Sequence, residues 1–142
     1  MTPLIAPAQP GAGNSVSELL ATLHRRHPNI LIIGGGVETE RALEYINPTL
    51  RAPVASWTPL ENPHLPAPAF RTLIVRDVDG LTGAQQASLV RLARRSAGEV
   101  QIVSIARVQF FPLVTKGLFL DELYYRLNVV VLEPSRDGMS GW

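Results

Sequence analysis

Three consecutive glycines, Gly34-Gly35-Gly36, follow the apolar run Ile30-Leu31-Ile32-Ile33 and lead into a helical pattern from about Val37 to Ile46. A glycine turn between a strand and a helix is a setting in which phosphates bind. Glycines let backbone amides approach the ligand, and the helix N-terminus adds partial positive charge. The full phosphate-binding loop, G-x-x-x-x-G-K-[ST], also needs a lysine for the outer phosphates and a hydroxyl for Mg²⁺. With the frame set on Gly34, the second glycine falls on Thr39, the lysine on Glu40 and the hydroxyl on Arg41. Glu38 and Glu40 would repel phosphates there. A dinucleotide fingerprint fails as well, since its third glycine also falls on Thr39. The glycines read as a structural turn or relic, with a weak anion or nucleotide site as the alternative.

Other chemistry-bearing residues are sparse. Asp77 and Asp79 flank a strand end, a place for an acidic metal site, although two acids there read more simply as a solvated turn. His24 and His27 lie one turn apart, but beside Arg25 and Arg26 they suit a helix C-terminus better than a zinc ion. Arg91, Arg94 and Arg95 read as a solvated helix face. No serine lies in a G-x-S-x-G turn, so a hydrolase has no support. The chain has no cysteine, which excludes disulfides, thiolate zinc sites and thiol nucleophiles. Of the 13 basic residues only Lys116 is a lysine.

The elements that must position these residues follow from periodicity. Ser15-x-x-Glu18 caps a first helix with Val16, Leu19, Leu20 and Leu23 as its apolar stripe, stopped by Pro28. Strands are expected at Ile30–Ile33, Pro53–Trp57, Thr72–Val75, Val100–Ile105 and Asn128–Leu132. Thr82-x-x-Gln85 caps a helix reaching Ser96, and Leu118–Tyr125 is a short helix. The four prolines between Thr58 and Ala69 make a loop. Alternating strands and helices predict a parallel sheet with helices on both faces.

At 142 residues, 46% hydrophobic and 18% charged, the chain reads as one globular domain. The expected division is a disordered arm over 1–14, a domain over 15–134 and a tail over 135–142. The net charge of +1 gives no electrostatic footprint for nucleic acid. No apolar run approaches the ~20 residues needed to span a bilayer, and no leader is visible, so a cytoplasmic protein is expected.

The segment Gly117-Leu118-Phe119-Leu120-Asp121-Glu122-Leu123-Tyr124-Tyr125-Arg126-Leu127-Asn128-Val129 resembles the G-x-F-R-x-D-L-Y-Y-R-L-N-V signature of the AAA+ domain in sigma-54-dependent transcription activators. Other segments align in the same order. Ile30–Gly34 resembles the approach to that family's Walker A loop. Thr72-Leu73-Ile74-Val75-Arg76-Asp77-Val78 is similar to its Walker B motif, T-L-F-L-D-E-I, and Val100–Val108 to its sensor I strand. The resemblance spans roughly 15–134 and implies a three-layer αβα sandwich with a five-stranded parallel sheet, the P-loop-like core without the helical lid.

The departures fall on function. Glu40 replaces the Walker A lysine, Arg76 the metal-binding aspartate and Asp77 the water-activating glutamate. Ala106-Arg107 replaces the polar sensor I pair; the first arginine finger falls on Leu120, and the second survives as Arg126. The loop that grips the sigma factor has no room, and the lid and DNA-binding segments have no counterpart. The resemblance therefore implies a non-catalytic interaction or regulatory module linked to transcription control. It predicts no catalytic residue, no metal, no cofactor and no direct DNA contact. A degenerate nucleotide loop (Gly34, Gly35, Gly36, Glu40) and a degenerate Walker B (Arg76, Asp77) remain. The expected partner is a related AAA+ activator or a second copy, with Tyr124, Tyr125 and Arg126 as the candidate interface. The alternative for these three is tyrosines packed under the sheet and Arg126 in a local ion pair. Alternatives for the whole chain are a vestigial sensor binding ATP or ADP without hydrolysis, and a scaffold unrelated to transcription.

Overall fold

The computed structural model describes residues 13–96 and 98–134. The expected arm and tail lie almost wholly outside them. The elements in order are α1 (Gly13–Arg26), β1 (Ile30–Ile33), α2 (Val37–Ile46), a 3-10 turn (Asn47–Thr49), β2 (Val54–Trp57), β3 (Thr72–Val75), a second 3-10 turn (Val78–Gly80), α3 (Gly83–Ser96), β4 (Gln101–Ala106), α4 (Phe111–Thr115), α5 (Asp121–Leu127) and β5 (Val130–Leu132).

The five strands form one parallel sheet in the order β2-β3-β4-β1-β5. Every residue of β1, β3 and β4 is buried, the polar Thr72, Gln101 and Ser104 included, as for strands covered on both faces. Successive side chains alternate between the faces. Ile30 and Ile32 join Leu23 of α1 and Ala42, Leu43 and Ile46 of α2 in one apolar cluster. Leu31 and Ile33 join Leu89 and Leu92 of α3 and Leu123, Tyr124 and Leu127 of α5 in the other. The expected three-layer αβα sandwich is therefore present.

Thr82 and Gln85 cap α3 reciprocally: the Gln85 amide donates to Thr82 Oγ1 at 3.2 Å, and the Thr82 amide donates to Gln85 Oε1 at 2.9 Å. Strand boundaries shift by one or two residues: β2 begins at Val54 rather than Pro53, β4 spans Gln101–Ala106 rather than Val100–Ile105, and β5 begins at Val130 rather than Asn128. The helices differ as well. Helix α1 begins at Gly13, so Ser15 sits inside its first turn, and the expected cap from its side chain lies outside the described residues. Helix α4 has no counterpart among the expected elements; its Pro112 sits in the first turn, where the missing N–H has no partner to lose. Helix α5 starts at Asp121 rather than Leu118, since the amides of Leu118 and Phe119 both donate back to the Leu113 carbonyl and close a loop on α4.

Candidate functional site

The helix after β1 covers one face of the sheet and those after β4 cover the other, so the chain reverses its winding between these neighbouring strands. In such sheets ligands bind outside the carboxyl ends of the strands at that switch point. Gly34, Arg76 and Arg107 follow β1, β3 and β4 directly and meet at this edge.

The glycine turn is backbone-determined. Gly34 has φ 145°, and a Cβ there would lie 3.2 Å from Thr39 Oγ1. Gly36, the residue before α2, has φ 75° and ψ −150°, a conformation open to glycine. The Gly34 amide donates to the Ala106 carbonyl at 2.9 Å, which ties the turn to β4. Thr39 stands where a phosphate-binding loop has its second glycine. It is 2% exposed, and its hydroxyl has no hydrogen-bond partner among the described residues.

Glu40 and Arg76 are bonded to each other. Arg76 Nη1 donates to Glu40 Oε2 at 2.8 Å and Nη2 to Oε1 at 3.2 Å, a two-point guanidinium–carboxylate contact. The bond to Glu40 raises the Arg76 pKa, partial burial opposes the rise, and the charges of Glu40 and Asp77 add to it. The side chains are 33% and 51% exposed, so the pair lies in the mouth of the site rather than in the core. Asp77 follows in the left-handed conformation, φ 51° and ψ 47°, which aspartate tolerates better than most residues. Its carboxylate faces Arg107 Nε at 3.5 Å, an ion pair rather than a hydrogen bond. The segments that follow β1, β3 and β4 are thus joined by two ion pairs, Glu40–Arg76 and Asp77–Arg107.

Chemically, this edge presents a guanidinium and a carboxylate that neutralise one another at its mouth. Among the described residues no cluster of three or more His, Asp or Glu could hold a metal ion. Asp77 and Asp79 form no such group. Directly after α1, His27 faces the Thr49 carbonyl at 3.0 Å through Nδ1.

Tyr124, Tyr125 and Arg126 lie apart from this edge, on α5. Tyr124 is 5% exposed and meets Phe110 and Phe111 edge-on, with ring centroids 5.1 and 5.3 Å apart. Burial, followed by its neighbour Tyr125, raises the Tyr124 pKa. Tyr125 points outward at 60% exposure, near the exposed Phe111, Leu118 and Leu120 in sequence. Arg126 Nε donates to Glu122 Oε2 at 3.3 Å, one helical turn back. Glu122 also accepts from Arg94 Nε at 2.7 Å and from Arg94 Nη2. Tyr124 is thus packed and Arg126 sits in a local ion pair, while Tyr125 is largely exposed with its ring edge-on to Tyr124 at 5.4 Å.

Sequence reasoning named Glu40, Arg76, Asp77 and Arg107 but did not pair them, and it left Arg94 to solvent. The signal for the first pair was present: two positions had exchanged charge sign together. Gln86 on α3 is a buried hub. Its Nε2 donates to the carbonyls of Leu81 and Leu118, both at 3.0 Å, and its Oε1 accepts from the Leu120 amide at 2.8 Å. A depression of about 280 Å³ lined by Trp57, His64, Leu65 and Gln85 lies elsewhere and includes none of the candidate residues.

No protein-family model matches the sequence, and no curated protein is significantly similar to it. Solved structures do match. NtrX from Brucella abortus in complex with ATP superposes with a TM-score of 0.69 at 16% identity, over 92% of this chain and 36% of NtrX. The P-loop NTPase domain of the sigma-54 transport activator from E. coli gives 0.63 at 20% identity, over 84% of this chain and 92% of that domain. Domain III of the Thermotoga maritima replication initiation protein DnaA gives 0.52 at 20% identity, over 92% and 63%. The chain spans about a third of the length of NtrX and has the fold of the sigma-54 activator AAA+ domain. No helix among the described residues is long and apolar enough to cross a membrane.

Proposed function

We propose that this chain is a non-catalytic AAA+-type module that acts in transcription control through protein contact, without hydrolysing ATP. The Glu40–Arg76 bond carries this reading. A catalytic site of this fold needs a cation at the first position and a metal-binding carboxylate at the second. Here the signs are exchanged and the two groups satisfy one another. Restoring either sign alone would leave two like charges facing across the mouth.

The partner proposed is a second AAA+-type domain, either a related activator or another copy of this chain. Tyr125, Phe111, Leu118 and Leu120 offer exposed apolar surface, and tyrosine is a frequent anchor where such surfaces meet. Arg126 would have to leave Glu122 to serve a neighbour's site. ATP turnover by the purified chain tests the reading. The expected rate is that of buffer, alone or mixed with a related activator in which the activator's own rate is accounted for. Turnover abolished by Arg76→Ala would overturn it.

A further inference from the structure

We infer that the amino edge of the sheet, opposite the edge that carries Glu40 and Arg76, is a docking surface for an acidic segment of a partner protein, held by Arg25, Arg26, Arg51, Arg71 and Arg95. This surface includes neither Tyr125 nor the exposed apolar residues around it, so it stands apart from the contact proposed above.

Hydrogen bonds gather these arginines at one edge. Arg71 directly precedes β3, and its carbonyl accepts from the Gln101 amide at the start of β4 at 2.9 Å. The Arg51 carbonyl, before β2, accepts from Thr72 Oγ1 at 2.8 Å, and Arg51 Nη1 donates to the Glu99 carbonyl at 3.3 Å. Arg95 lies at the end of α3, where the Glu99 amide donates to the Ser96 carbonyl at 2.8 Å. Arg25 and Arg26 end α1, and the carbonyl of Pro28 just beyond accepts from Gln101 Nε2 at 2.8 Å. Arg25, Arg26, Arg71 and Arg95 are exposed, and none of these arginines, Arg51 included, has an ion pair among the described residues. A cation at a helix C-terminus complements the dipole, which accounts for Arg25, Arg26 and Arg95. That account does not extend to Arg71, which no helix end adjoins in the chain, or to Arg51, which follows only a short 3-10 turn.

Charge complementarity selects the occupant. Guanidinium groups bind carboxylates through paired N–H bonds, and arginines spread over adjacent strand ends suit carboxylates spaced along a chain. Two acids, Glu44 on the last turn of α2 and Glu99, interrupt the arginines. A polynucleotide has a charge at every residue and would meet both, whereas a protein segment can set its carboxylates opposite the arginines alone. A second copy offers less: of the acids at the opposite edge, Glu40 is bound to Arg76 and Asp77 to Arg107. The net charge of +1 conceals the patch, because those acids balance it from the other end of the strands.

The test is fluorescence anisotropy of a labelled oligoglutamate peptide of about eight residues, long enough when extended to cross the sheet edge. It is titrated with wild type, Arg71→Gln/Arg95→Gln, Arg25→Gln/Arg26→Gln and a charge-matched control away from this edge, Arg41→Gln/Lys116→Gln, at low and at raised salt. Each edge variant should weaken binding by at least about fivefold and the control by less than about twofold, and raised salt should weaken wild-type binding. All these positions are exposed, so melting temperatures should stay close to wild type, and the second edge pair guards against a folding defect in the first. No binding by wild type, a smaller loss in both edge variants, or an equal loss in the control overturns the inference. Tighter binding of a single-stranded oligonucleotide of equal charge also overturns it, by assigning the edge to nucleic acid. So does salt-sensitive self-association lost in the edge variants, which assigns it to a second copy.

Discussion

Glu40, on the first turn of α2, accepts hydrogen bonds from both terminal nitrogens of Arg76 and so fastens that turn to the end of β3 across the intervening β4. β1 and β3 are not neighbours in the sheet, so the contact bridges about two strand spacings, roughly 9–10 Å. Backbone pairing cannot supply this link. A double-mutant cycle with Glu40→Ala and Arg76→Ala, read by urea unfolding, should give a coupling of about 0.5–1 kcal/mol, the range for a partly exposed pair with good geometry. The coupling should shrink as salt rises. The charge-exchanged variant Glu40→Arg/Arg76→Glu should recover most of what either single reversal loses.

Gln86 fixes the loop that precedes α5. Three backbone groups, of Leu81, Leu118 and Leu120, depend on its buried amide. Gln86→Leu keeps the bulk but strands these groups, and it should cost about 2–3 kcal/mol of stability. Hydrogen exchange of the Leu120 amide should accelerate more than that of β1 amides.

The adjacent tyrosines should behave oppositely. Tyr124→Ala removes a buried ring packed against two phenylalanines and should destabilise by about 3–4 kcal/mol. Tyr125→Ala removes an exposed ring and should change stability by no more than about 0.5 kcal/mol. Thermal melts of the two variants separate the packing role from the surface role. If Tyr125 anchors a partner, its variant should stay folded while losing the partner.

Glu122 should mark the acid limb of stability. The hydrogen bond from Arg94 lowers its pKa below the ordinary 4.5, slight desolvation opposes this, and the charge of Arg94 and the bond from Arg126 add to the lowering. A carboxyl with a depressed folded pKa contributes stability that is present above its unfolded pKa and lost as pH falls through the folded value. The difference in melting temperature between wild type and Glu122→Gln should therefore hold from neutral pH down to about 5 and shrink below it. A difference that grows on acidification would contradict the ion-pair assignment.

Much of the fold is legible in the residues. Ile30–Ile33 and Thr72–Val75 are continuous branched runs, and both strands begin and end where the runs do. The Thr82–Gln85 cap is local and is found as its spacing predicts. Helix α4, at five residues, is too short for an apolar periodicity to show in the sequence. The site was only half legible. Its members follow from the glycine turn and the ends of β1, β3 and β4, but Glu40 and Arg76 are 36 positions apart. Their meeting depends on the strand order β3-β4-β1, which no local pattern encodes. The arginine on α3 that joins Glu122 was hidden for the same reason: its partner lies 28 positions away on α5.

The central claim is that the exchanged charges close the nucleotide-type site. It is tested most directly by isothermal titration of Mg-ATP and Mg-ADP into the wild-type chain, at concentrations reaching the millimolar range, with a parallel thermal-shift measurement. The account predicts no binding heat and no shift in melting temperature with either nucleotide. Saturable binding at micromolar strength, weakened by substitution of Gly34 or Gly36, would contradict it.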